Sequence, residues 1–319
     1  MSDFNPPVLI IGFRRANEIE QVIGCLECYK PNRVYLAMDG PGSLQETVLT
    51  DAARAIALKS IRWECTLKTH FMDENIGCAQ FVTRAISWFF DHENEGLILE
   101  DDILIHPDLI KFIRAYHNYD AFSCLCSCTF ESLLTSSQGS INRPFCSWIP
   151  SIWGWYSSRE VWREFITYQR SKNPVYNFKT LRSRIGFWQS LLFAMCLDYI
   201  DRGKMNAWSY EFAAFMISSG RVSLFPPVQL SSNIGNSSLA TNCSLDPQLT
   251  NALRNDVNFS CIQPEFISIN YYYMKHQSMN TLMKNSYKIQ AIKHLCKIFF
   301  QYIWLNLNIY AKKLIFASK

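Results

Sequence analysis

Short apolar runs alternating with stretches of helical periodicity organise the first hundred residues. Val8-Leu9-Ile10-Ile11 is closed by Gly12, after which Ile19, Val22, Ile23 and Leu26 recur at helical spacing. Asn17 and Glu20 are spaced as a capping box, so strand, loop and helix are predicted here. Val34 to Met38 predicts a second strand stopped by Asp39-Gly40-Pro41-Gly42, and Ser43 to Lys59 a second helix. Residues 61–71 predict a third strand. After Asn75-Ile76-Gly77, the side chains of Phe81, Ala85, Trp88 and Phe89 share one helix face, and polar Asp91 to Glu95 lead into the apolar strand Leu97-Ile98-Leu99. Strands alternating with helices imply an α/β fold, a mostly parallel sheet covered on both faces.

In such sheets ligands bind beyond the carboxyl ends of the strands. The loops leaving those ends carry Arg14 and Arg15, Asp39, and the block Glu100-Asp101-Asp102. Adjacent carboxylates raise one another's pKa, so a triplet at the rim of a buried strand calls for a cation. Oxygen-only ligands with few protein contacts suit Mg²⁺ or Mn²⁺, which complete their shells with water and substrate phosphates. The alternative is a solvated acidic turn, or a cap for the helix expected near Pro107. Asp108 already stands in the first turn of that helix.

Composition narrows the setting. A hydrophobic fraction of 49% in 319 residues is enough to bury one large domain or two small ones. The 12 cysteines lack the paired spacing of a tetrahedral metal site, and a reduced, cytoplasmic compartment is expected. No secretion signal and no spanning segment are expected either. Aromatic residues at 14% suit a large core or a cleft that stacks on bases and sugar rings. The formal charge of +4 is uneven, because the chain beyond residue 265 holds eight lysines and no acid; without them the first 265 residues carry −4. Nucleic acid is therefore not an expected partner, since the basic charge is an appendage and not a groove.

Taken together, Pro7 to Arg15, Met38-Asp39-Gly40, Asn75-Ile76-Gly77 and Leu99-Glu100-Asp101-Asp102 with Pro107 resemble the GT-A glycosyltransferases. The nearest resemblance is to a bacterial group of nucleotide-diphospho-sugar transferases found in cell-surface polysaccharide clusters, more distantly similar to the animal N-acetylglucosaminyltransferase of N-glycan synthesis. Ile152-Trp153-Gly154-Trp155 with Arg159 and Trp162, and Ser232-Asn233-Ile234-Gly235 with Ala240-Thr241, extend it. The resemblance implies a GT-A domain over residues 1–265 that transfers a sugar, with inversion, from a nucleotide diphosphate donor such as a UDP-sugar to a glycan or lipid-linked acceptor. It implies Asp102 as the metal ligand for Mn²⁺ or Mg²⁺. Donor contacts fall to Arg15, Asp39, Asn75, Glu100 and Asp101, with Asp39 on the base. A planar guanidinium suits a diphosphate, and a carboxylate accepts from a pyrimidine N–H. Trp153 and Trp155 are either acceptor-stacking rings or core; in an extended segment Gly154 would set both on one side.

The pattern departs from the group twice. Where the group reads Trp-Asp-Tyr and supplies a catalytic base, this chain reads Trp208-Ser209-Tyr210-Glu211. Ser209 is no base unaided, and Glu211 would reach the site only from an extended segment. Asp198 and Asp201 are weaker candidates. Asn242 stands where the group commonly has His, a better metal ligand. Two rivals follow, a nucleotide-sugar-binding homologue that has lost its base, and a sugar nucleotidyltransferase. The second expects a Gly-rich loop that Gly12-Phe13-Arg14-Arg15 does not provide. Finally, residues 266–319 predict a basic amphipathic helix, with Ile289, Ile292, Phe299, Phe300 and Trp304 on its apolar face. Such a helix lies on an anionic membrane surface, here the inner face, or packs on the body or a second copy.

Overall fold

The computed structural model describes residues 4–129, 143–171 and 178–235, together with Ile267 and Ile269. The chain opens with β1 (Val8–Gly12), α1 (Ala16–Leu26), β2 (Arg33–Met38), α2 (Leu44–Ser60), β3 (Thr66–Phe71), α3 (Cys78–His92) and β4 (Glu95–Glu100). There follow β5 (Ile103–Ile105), α4 (Asp108–Tyr116), β6 (Cys124–Cys126), β7 (Phe145–Ser147), β8 (Trp155–Ser158), α5 (Arg159–Arg170), α6 (Phe178–Ile185), α7 (Phe187–Asp201), α8 (Trp208–Ser219), β9 (Ser223–Phe225) and β10 (Ser231–Asn233). Eight strands form one sheet in the order β3-β2-β1-β4-β8-β6-β9-β7, and β10 pairs with β5 in a separate ribbon. The first four strands of that order are mutually parallel, whereas β8 and β7 run against their neighbours. This is the α/β, mostly parallel and doubly covered sheet that the sequence leads one to expect.

Period-two alternation sorts each strand between two cores. Val8, Ile10, Val34, Leu36, Leu97 and Leu99 meet Ile19, Val22, Ile23 and Leu26 of α1 and Phe112 and Ile113 of α4. Leu9, Ile11, Tyr35, Ala37 and Ile98 face the other way, onto Phe81, Ala85, Ile86 and Phe89 of α3 and the aromatic residues of α5 and α8. Both faces of β1 and β4 are thus covered, which is why these strands read as continuous apolar runs.

Local chemistry agrees with most of the expected boundaries. Ser43 caps α2 by accepting from the Glu46 backbone N–H at 3.3 Å. The third strand begins at Thr66 and not at residue 61: residues 61–65 form an irregular stretch in which the Trp63 indole N–H donates to the Pro31 carbonyl at 3.0 Å. The expected capping box at Asn17 is not formed: Arg15 is the N-cap of α1 and offers no side-chain cap. The first turn of α1, which follows the β1 loop directly, therefore has no side-chain cap. Ile269 bridges to Cys146 in β7, so the sheet edge takes in a residue four beyond the expected domain boundary. Among the described residues no helix is long and apolar enough to cross a membrane. Apart from Ile267 and Ile269, the expected amphipathic tail lies outside the described residues, as do Ala240 to Asn242.

Candidate functional site

The register of the parallel strands aligns their ends. Gly12 lies opposite Met38, and Ile11 opposite Glu100, so the loops after β1, β2 and β4 open at one edge of the sheet. Successive connections run from β1 outward to β2 and β3, and α3 then returns the chain to β4 on the other side of β1. The crevice between the ends of β1 and β4 is therefore the point where strand order reverses, which is where open α/β sheets bind ligands.

Arg15 and the three acids meet across that crevice. The guanidinium donates through Nη1 to Asp102 Oδ2 at 2.8 Å and through Nη2 to Asp101 Oδ1. Asp101 also accepts from the Phe13 backbone N–H at 3.1 Å, so both its oxygens hold the loop after β1. Asp101 and Asp102 are buried, at 3% and 6% exposure. The other oxygen of Asp102, Oδ1, is buried without a hydrogen-bond partner. Burial and the neighbouring Asp102 and Asp101 carboxylates push Glu100 up to about 8, with Arg15 opposing them. Asp101 is pushed up to about 6 by burial, against the pull of Arg15. Burial by itself would lower the Arg15 pKa, but the two facing carboxylates outweigh it and raise it.

The strap that leaves β10, Ile234 and Gly235, completes this cluster. Ile234 donates its backbone N–H to the Asp102 carbonyl at 2.9 Å, and Gly235 donates to Asn233 Oδ1 at 2.7 Å. A Cβ at Gly235 would stand 2.2 Å from Asp102 Oδ2 and 2.6 Å from Arg15 Nη1, so the strap lies directly against the ion pair. The cation that the acidic triplet calls for is thus partly supplied from within, as one guanidinium. Against three carboxylates it leaves negative charge and a bare buried oxygen, a donor set that fits a hard divalent ion such as Mn²⁺ or Mg²⁺. Among the described residues no group of three or more His, Cys, Asp or Glu side chains is disposed to hold a metal. A site that takes one carboxylate and fills its shell with water and phosphate does not need such a group.

Asp39 and Asn75 join the neighbouring loops. Asp39 is buried at 4% exposure, and its Oδ1 accepts from the backbone N–H groups of Gly40 at 2.9 Å and Ile76 at 3.2 Å. Burial raises its pKa against those hydrogen bonds. Asn75 spends both ends of its amide on the chain, donating to the Gly40 carbonyl and accepting from the Gly77 N–H, each at 3.1 Å. Arg14 leaves the crevice and pairs with Glu46 at the start of α2. Two further side chains join these loops. Arg54 of α2 clamps the loops by donating to the carbonyls of Asp39 and Met72. Cys78, exposed at the start of α3, has its thiol pushed up by partial desolvation and then by Glu100, Asp39 and Asp101. Adjacency to Asn75-Ile76-Gly77 was the available signal for Cys78; nothing in the local pattern marks Arg54.

The expected acceptor and base residues are placed differently. Gly154 has φ +76°, so the segment is not extended and the flanking rings separate to opposite faces of the sheet. Trp153 is partly buried against the core on the α1 side. Trp155, only 2% exposed, enters the other core beside Phe212 at 5.2 Å, Trp208 at 6.2 Å and Trp162 at 6.4 Å. Trp155 is thus part of the core. Residues 208–211 form the first turn of α8, which turns Glu211 about 200° from Ser209. Glu211 accepts from Gln169 of α5 at 3.0 Å, so it does not project with Ser209. Asn206, two residues before the helix begins, reaches the start of α3, where its Oδ1 accepts from the Ala79 N–H at 3.0 Å. Asp198 is held in an exposed ion pair with Arg202.

No protein-family model matches the chain, and no curated protein matches it. Among solved structures, mannosyltransferase PcManGT from Pyrobaculum calidifontis, in complex with GDP-Man and Mn²⁺, is 14% identical with a TM-score of 0.37, over 68% of this chain and 76% of that one. The glycosyltransferase GlyE of Streptococcus pneumoniae TIGR4 is 11% identical with a TM-score of 0.32, over 69% of this chain and 45% of its own. HddC from Yersinia pseudotuberculosis is 11% identical with a TM-score of 0.33, over 50% of this chain and 79% of its own. The chain therefore spans less than half of GlyE. Likeness at this level assigns no residue and no activity.

Proposed function

We propose that this chain is a glycosyltransferase that moves a sugar from a nucleotide diphosphate donor, with uridine as the base, to a hydroxyl of a cell-surface glycan or lipid-linked acceptor, with inversion. The observation that carries this reading is the arrangement at the crevice: three acids facing a single guanidinium, with Asp102 Oδ1 buried and bare. Asp102 would hold Mn²⁺ or Mg²⁺, which when bound supplies positive charge toward the leaving diphosphate. Arg15 and the uncapped N-terminus of α1 offer donors to phosphate oxygens, as paired guanidinium bonds and as free backbone N–H groups. Asp39 and Asn75 shape the loops that flank the nucleotide, and Glu100 and Asp101 border the donor sugar. A basic tail at the inner membrane face would suit a lipid-linked acceptor.

A second reading, a nucleotide-sugar-binding homologue without transfer activity, draws on Ser209 standing at the expected base position while Glu211 is turned onto Gln169. Donor hydrolysis or transfer by the pure protein would discard it. Donor binding itself is tested by calorimetric titration of UDP, GDP and CDP with and without Mn²⁺, on the wild type and on Asp102→Asn. Metal-dependent UDP binding that is lost in the variant is the expected result. Failure of all three nucleotides under every condition would refute the reading.

A further inference from the structure

We propose that Arg15 is a built-in counter-ion that competes with the metal for Asp101 and Asp102 when no donor is present, and that the donor diphosphate draws it off, linking metal and nucleotide binding through one side chain. The inference rests on the donor-site reading above. Its basis is the disposition of the guanidinium. Each of its two terminal nitrogens engages a different carboxylate, both acids are buried, and the Arg15 side chain itself is 14% exposed. A planar fork can bridge two carboxylates or two phosphate oxygens, and in one position it cannot do both.

The competition follows from charge and distance. A divalent ion on Asp102 Oδ1 would share a carboxylate whose other oxygen lies 2.8 Å from Arg15 Nη1. Like charges held that close within a partly desolvated cluster repel one another. In the absence of phosphate, Arg15 therefore weakens metal binding. Diphosphate oxygens give the guanidinium an alternative partner, and its departure returns two carboxylates to the metal. Thermodynamic reciprocity then requires the nucleotide to tighten the metal by the factor with which the metal tightens the nucleotide. Gly235 belongs to the same arrangement, since the strap lies against the Arg15–Asp102 pair and has no side chain with which to stabilise either position.

The test reads metal binding directly. Mn²⁺ alone is titrated into wild type, Arg15→Gln and Arg15→Lys, followed by electron paramagnetic resonance of free Mn²⁺, with circular dichroism to establish that each variant is folded. Arg15→Gln is expected to bind Mn²⁺ about tenfold more tightly than wild type, while its affinity for UDP at saturating Mn²⁺ falls by about the same factor. Arg15→Lys, whose compact ammonium cannot span both acids, is expected to fall between them. UDP should tighten Mn²⁺ by a larger factor in the wild type than in Arg15→Gln, where only the direct metal–phosphate contact couples the two. A folded Arg15→Gln that binds Mn²⁺ no more tightly than wild type overturns the proposal; if it does not fold, the same result for Arg15→Lys does so. Absence of nucleotide binding by wild type at saturating Mn²⁺ sinks the donor reading separately, and the Mn²⁺ comparison still decides on the counter-ion.

Discussion

Replacing Gly235 by alanine tests whether the strap that follows β10 and the Arg15–Asp102 pair are one packed unit. The new Cβ would lie 2.2 Å from Asp102 Oδ2, 2.6 Å from Arg15 Nη1 and 3.0 Å from Asp102 Cβ. Unstrained carbon contacts are near 3.5–4.0 Å, so something must retreat by about an ångström. The carboxylate is not free to do so alone, because Oδ2 is held by Arg15 at 2.8 Å and the Asp102 carbonyl accepts from Ile234 at 2.9 Å. The strap and the acid loop are thus tied on both sides of the intruding methyl. Overpacking of this kind costs about 1–3 kcal/mol. Urea unfolding of wild type and Gly235→Ala, followed by tryptophan fluorescence, measures it. A loss smaller than about 0.5 kcal/mol, the range of a neutral surface change, would show that the strap does not press on the pair and would refute the reasoning.

Two further outcomes are expected. Glu100 rises from 4.5 to about 8 and Asp101 from 3.8 to about 6 on folding, so the native state binds more protons than the unfolded chain between those limits. Their contribution to stability is present at acid pH and is lost as pH rises through about 8. Thermal unfolding of the metal-free protein should show this decline between about pH 5 and 8, and added Mn²⁺ should raise the midpoint more at pH 8 than at pH 5.5; equal effects at both would sink the assignment. Trp155→Ala should cost about 3–5 kcal/mol in urea unfolding, as loss of a buried indole does, and a cost below about 1 kcal/mol would place Trp155 outside the core.

The site was legible in the sequence wherever chemistry followed directly on a strand. Arg15, Asp39 and Glu100 to Asp102 could be singled out because each lies at or within a few residues of the end of a buried apolar run, and parallel strands deliver their carboxyl ends to one edge. Trp155 and Glu211 could not be placed that way. Trp155 depends on one glycine's dihedral angle, which flips the ring from one face to the other. Glu211 depends on whether four residues are extended or helical, and a two-residue offset reverses its direction between the two. Arg54 was invisible because its partners are backbone carbonyls of two other loops, which leave no mark in the pattern of side chains.

What the sequence determined by itself was therefore the periodic part: an α/β sheet from alternating apolar runs and helical faces, and an acid-rich edge from the residues that end those runs. Periodicity is local, and burial enforces it strand by strand. Only the tertiary structure decided that Arg15 already pairs with Asp101 and Asp102, that Asp102 retains a bare buried oxygen, and that Gly235 lies against them. Those facts join residues some 90 and 220 positions apart. They arise from the point where strand order reverses, which brings the ends of β1 and β4 together and lets charge balance be settled across the crevice.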